Sequence, residues 1–153
     1  MYTEIDRRLA VLAAQQHNVF TLLQAYEIGF SERQAMRRTA SGAWLRLGPG
    51  AYGLPGTTLD TRARLTALTL ATAGSVASHE SAAELHEYPL VQRGLIVVSR
   101  PHARPNRTEL GRIRRVGDFR PSDHEIIDGI PSRRHYAPQP TSPLSCEPAG
   151  TAP

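Results

Sequence analysis

Ile5, Leu9, Leu12 and Ala13 recur at helical spacing and predict an amphipathic helix from about Thr3 to Gln16. An extended link, His17 to Thr21, follows and carries Val19 and Phe20. Thr21 can cap a second helix over Leu22–Ile28, which Gly29 stops. Ser31-Glu32-Arg33-Gln34 has the S-x-x-Q form of a capping box, so a third helix is expected over Glu32–Ala40, closed by Ser41-Gly42. Helix, short glycine-containing turn and capped helix is the helix-turn-helix arrangement. Ala43 to Leu47 then reads as a strand, Gly48-Pro49-Gly50 as a turn and Ala51 to Leu54 as a returning strand. A hairpin directly after such a helix is a wing.

Beyond the hairpin, Asp60 is placed to cap a helix from Thr61 to about Ala73, with Leu65, Leu68, Ala71 and Thr72 as its packing stripe. Ser75 to Ser78 reads as a short strand and His79 to His86 as a further helix. Leu95 to Val98 is the strongest strand signal; Arg112 to Val116 alternates and can pair with it, as can Glu125 to Ile127. Asp128-Gly129 is a hairpin-type turn. Residues 132–153 hold five prolines in 22 positions and few large apolar side chains, the composition of a disordered tail. The expected fold class is α+β, organised as a winged helix-turn-helix domain (1–56), a small, incomplete α/β domain (57–131) and a disordered tail (132–153).

Charge adds a partner class. All 18 basic residues are arginine, and the net charge is +4 with a pI near 9.8. The absence of lysine, with abundant alanine, reflects in part a GC-rich coding sequence; arginine is also the residue suited to phosphate and guanine. On the third helix, Arg33 and Arg37 lie four apart on a side displaced from Ala35 and Thr39, which are small enough to pack. That side is where a recognition helix meets the major groove. Arg38 and Arg46 are placed to reach flanking phosphates. Thr21 and Gln34 complete the candidate DNA-binding set, although capping competes for Gln34. Trp44 reads as core. An ordinary solvated arginine face, with Glu32 as counter-charge, is the alternative.

No catalytic constellation accompanies this set, and the chain is expected not to be an enzyme. His79-Glu80 opens like a zinc-protease motif, but Ala83 stands where the second histidine belongs. His86 lies about 10 Å further along the helix, too far to share a metal with His79. Asp123-His124-Glu125 reads as a solvated loop, and neither a phosphate-binding loop nor a nucleophile elbow occurs. No metal or cofactor is expected. The single cysteine, Cys146, excludes a disulfide framework, no apolar run is long enough to span a membrane, and the N-terminus lacks the pattern of a secretory signal. A cytoplasmic protein is expected.

Arg7 to Thr21 (RRLAVLAAQQHNVFT), the IGFS turn at 28–31, the WLRLGPGAYGLPG wing and SHESAAELH at 78–86 together resemble AbiEi-type antitoxins of type IV toxin–antitoxin systems, a family abundant in actinobacteria. The resemblance covers about residues 5–131. It implies a winged helix that binds operator DNA and represses its own operon, and a second domain opposing a nucleotidyltransferase-like toxin. It also implies a break after Asp128-Gly129-Ile130-Pro131, where relatives continue with Val-Thr-Thr-Pro; a shifted reading frame through the codons of Pro131 to His135 can encode that continuation. Three function classes are therefore compatible with the sequence. They are a DNA-binding antitoxin-like repressor, a truncated remnant or DNA-binding half of a split nuclease-containing protein, and a winged-helix protein-interaction module.

Overall fold

The computed structural model describes residues 3–89 and 93–134. Its N-terminal part begins with helix α1, Glu4–Ala14, whose Thr3 hydroxyl and Asp6 carboxylate cap each other's backbone amides. Strand β1, Val19–Thr21, leads into α2, Leu22–Ile28, and α3, Glu32–Ala40, follows. Both helices carry the same reciprocal cap, Thr21 with Gln24 and Ser31 with Gln34, satisfying amides that a helix start leaves open. Gly29 ends α2 at φ 119°, a left-handed conformation that turns the chain sharply towards α3. Strands β2, Leu45–Gly48, and β3, Ala51–Gly53, form the wing, and β1 pairs antiparallel with β3 to complete a three-stranded sheet. The expected link at Val19–Thr21 is thus a strand, held by a partner that lies far along the chain.

The wing sheet has two differently employed faces. Phe20 and Tyr52 face the helices, where Phe20, Phe30 and Tyr52 surround Trp44 with ring centroids 4.9–6.4 Å from it. Leu9, Ala13, Ala25 and Ala35 complete this first core. Val19, Leu47 and Ala51 face the other way and join a second core with helix α4, Thr61–Ala71. Asp60 caps α4 as expected. Its packing stripe is wider than the sequence suggests: Ala63, Leu65, Thr66, Ala67, Leu68 and Thr69 are all buried, whereas Ala71 is exposed. The helix is wedged between two sheets and buries more than one face.

The second sheet contains β4 (Val76–Ala77), β5 (Val97–Arg100), β6 (Asn106–Arg107), β7 (Arg112–Arg115), β8 (His124–Ile127) and β9 (Ile130–Arg133), in the order β6-β7-β5-β4-β9-β8. Helix α5, His79–Leu85, follows β4. β7 pairs with β5, in parallel, as one of the expected partners of that strand. The other expected partner, Glu125–Ile127, pairs only with β9 at the far edge, because β4 and β9 already occupy the space on that side of β5. Asp128 and Gly129, both at positive φ, make the β8–β9 turn. The Asp128 carboxylate meets Arg62 of α4 at 2.8 Å, and its carbonyl oxygen meets the His17 ring at 2.9 Å.

Two expectations need correction here. Ser132 and Arg133 belong to β9, and Ser132 is fully buried beside Ala77 of β4, so the ordered chain passes the boundary set at 132. The remainder of the expected disordered tail, 135–153, lies outside the described residues. Asp123-His124-Glu125 is not a solvated loop. A short 3-10 turn, Pro121–Asp123, enters β8 there, and the half-buried His124 ring packs edge-on against Phe119 at 4.3 Å. Burial, then the charge of Arg133, hold that ring below the ordinary imidazole range.

Candidate nucleic-acid interface

Helix α3 divides cleanly into a packed side and a free side. Ala35 is buried against the first core, and the Thr39 hydroxyl donates to the Ala35 carbonyl at 3.0 Å. Arg33, Met36 and Arg37 stand exposed; Met36 keeps 67% of its surface in water. Among the described residues neither Arg33 nor Arg37 makes an ion pair, with Glu32 or any other carboxylate. Two unpaired guanidinium groups one turn apart on an exposed helix present ten N–H donors with few competing acceptors.

The other sequence candidates are employed differently. The Gln34 side-chain oxygen accepts from both the Ser31 amide and the Ser31 hydroxyl, so only its amide NH2 is left to act outward. The Thr21 hydroxyl is likewise committed, accepting from the Gln24 amide at 3.2 Å. Arg38 turns back into the protein. Its guanidinium lies 2.7 Å from the Asp6 carboxylate and 5.9 Å from the centre of the Phe30 ring. Burial acts to raise the Asp6 carboxyl, but hydrogen bonds from Thr3 and the Arg38 charge outweigh it and hold the group below the usual carboxylate range. Arg38 therefore ties α3 to α1. A backbone-contacting role inferred from its position on the helix leaves out this partner, which sits on another element.

Arg46 is exposed on β2 and directly opposite Tyr52, so both project from the same side of the wing sheet. That side is the α3 side: Tyr52 lines a groove of about 380 Å³ together with Leu22, Tyr26, Met36 and Thr39. Arg33 and Arg37 are exposed on α3 and Arg46 is exposed on the wing, on the side of the sheet that Tyr52 shares with α3. A separate groove of about 540 Å³ lies between α1 and α2, lined by residues such as Arg8, Val11 and Ile28, and includes no residue of α3. Among the described residues no cluster of three metal-ligating side chains occurs, and no helix is long and apolar enough to cross a membrane.

No curated protein and no solved structure matches the chain. A family model described as "Transcriptional regulator, AbiEi antitoxin" matches residues 7–55, which run from α1 to the end of the wing. The matched stretch is a winged helix in an α+β protein, and the family is one of regulators. The resemblance drawn from the RRLAVLAAQQ helix, the IGFS turn and the wing therefore holds over that stretch: residues 7–55 match the AbiEi antitoxin family model, consistent with an AbiEi-type antitoxin N-terminal domain.

Proposed function

We propose that this chain is a cytoplasmic DNA-binding repressor of the antitoxin type, which inserts α3 into the major groove of an operator and lays the wing along the adjoining backbone. Arg33 and Arg37 act as base readers, and Arg46 acts as a phosphate contact. Arg38, Thr21 and Gln34 support the interface by fixing the helices. In this reading the protein partner is a nucleotidyltransferase-like toxin, as the resemblance implies, and the regulated operon is its own.

One observation carries the proposal: the exposed side of α3 holds two arginines without carboxylate partners among the described residues, while its opposite side is packed against the aromatic core. Keeping like charges one turn apart costs a few tenths of a kcal/mol in an isolated helix, a cost that an anionic ligand offsets. Fluorescence anisotropy of the chain with a duplex from its own upstream region, and with a scrambled duplex, tests it. Tighter binding to the first, with affinity falling steeply as salt rises, is the expected result. Equal binding to both, or binding indifferent to salt, would overturn operator recognition and favour a protein ligand for the α2–α3 groove.

A further inference from the structure

The second sheet also reaches the wing, at the hairpin formed by β6 and β7. Thr108 closes this hairpin, its amide donating to the Gly111 carbonyl at 2.8 Å. Leu110 at the tip is 2% exposed and packs into the second core, directly against Gly48 of the wing. A methyl group built on Gly48 would come within 2.7–2.8 Å of the Leu110 side chain, so only glycine admits the hairpin at that distance. Wing and hairpin are therefore packed as one unit. Between them lies a cleft of about 380 Å³, lined by Arg46, Gly48 and Pro49 on the wing and by Asn106, Arg107 and Glu109 on the hairpin.

Among the described residues the arginines in and beside this cleft have no carboxylate partner. Arg107 and Arg112 are direct cross-strand partners, both exposed, and neither makes an ion pair among the described residues. Glu109 lines the same cleft without pairing with either. Like charges directly opposite each other on an antiparallel ladder are destabilising. A charged residue on an edge strand discourages unwanted strand pairing, but a single charge serves that purpose. Arg107 lines the cleft opposite Arg46, with Arg112 as its cross-strand neighbour, and this unpaired charge calls for an anion.

We infer that the cleft between the wing tip and the β6–β7 hairpin takes a backbone phosphate of the bound duplex, held by Arg46 and Arg107, with Arg112 adding its charge from beside Arg107. The unit after the winged helix is then part of the DNA contact and extends it beyond the wing. This inference rests on the DNA-binding reading of α3. In the full chain, Arg107→Ala and Arg112→Ala should each weaken binding to operator and scrambled duplexes alike. Each should cost about fivefold near physiological salt, with a salt dependence shallower by about 0.9. Thermal stability should stay the same or rise, because an opposed charge is removed. Glu109→Gln should tighten both duplexes. If Arg33→Ala weakens operator binding while Arg107→Ala and Arg112→Ala change neither affinity nor salt slope, the hairpin contact is wrong and the α3 reading stands. If none of these variants changes DNA binding, the α3 reading falls with it.

Discussion

The two cores of this protein are built on opposite terms. The first is organised by local signals: three reciprocal caps start its helices, and Trp44 gathers Phe20, Phe30 and Tyr52 around one indole ring. The second relies on small and aliphatic side chains, with hydroxyls buried in its sheet at Ser99 and Ser132 and at the start of α5 at Ser78 and Ser81. Ser78 and Ser99 satisfy each other at 2.7 Å, and Ser81 joins the Leu95 carbonyl to the Val97 amide. The Ser132 hydroxyl has no hydrogen-bond partner among the described residues. A core made by local rules holds the matched regulatory domain, and a core made by distant pairings braces it from behind. Their common boundary is the wing sheet, which gives Phe20 and Tyr52 to one and Val19 and Ala51 to the other.

The largest test of that boundary is Trp44→Ala, expected to cost about 3–5 kcal/mol because nothing nearby can fill an indole-sized cavity. Since β1 and β3 serve both cores, thermal unfolding followed by tryptophan-independent circular dichroism should remain a single transition at a lower temperature. Two separated transitions would show that the cores fold independently.

Asp6→Asn should have a smaller effect, about 1–3 kcal/mol. This is less than the loss of a fully buried pair costs, because 27% of the Arg38 side chain is in water. The pH dependence has a defined sign. The folded carboxyl titrates below the unfolded one, so its contribution is complete above about pH 4 and disappears as pH falls through the folded value. Denaturant titrations between neutral and acid pH should show that loss in the parent and not in Asp6→Asn. Parallel curves would remove the pair from the account.

Ser132→Ala is the smallest change and points the other way. Removing an unpartnered buried hydroxyl should leave stability unchanged or raise it by up to about 1 kcal/mol, whereas Ser99→Ala should lower it by a similar amount. A clear loss for Ser132→Ala, measured by the shift of the urea midpoint, would mean that the hydroxyl is bonded.

What the sequence made legible follows the same division. The bounds of α2 and α3 were readable because their caps lie within four residues of the helices they start. The free side of α3 was readable because i, i+4 spacing alone puts Arg33 and Arg37 together. The strand at Val19–Thr21, the place of β9 between β4 and β8, and the two-residue strand β6 were not. Each depends on a partner far along the chain, and two residues carry no periodicity. The same limit applies at the interface. The tie of Arg38 to Asp6 crosses from α3 to α1, and Arg107 becomes a candidate only once the hairpin register sets it opposite Arg112 and beside Arg46.

The central claim is that α3 reads DNA. Its most direct test is the affinity of the Arg33→Ala and Arg37→Ala variants for operator and scrambled duplexes, with circular dichroism confirming that each is folded. Each substitution should weaken operator binding by about 5- to 150-fold, the value of a guanine contact worth roughly 1–3 kcal/mol, and should reduce the preference over the scrambled sequence. Folded variants that bind both duplexes as the parent does would contradict the claim.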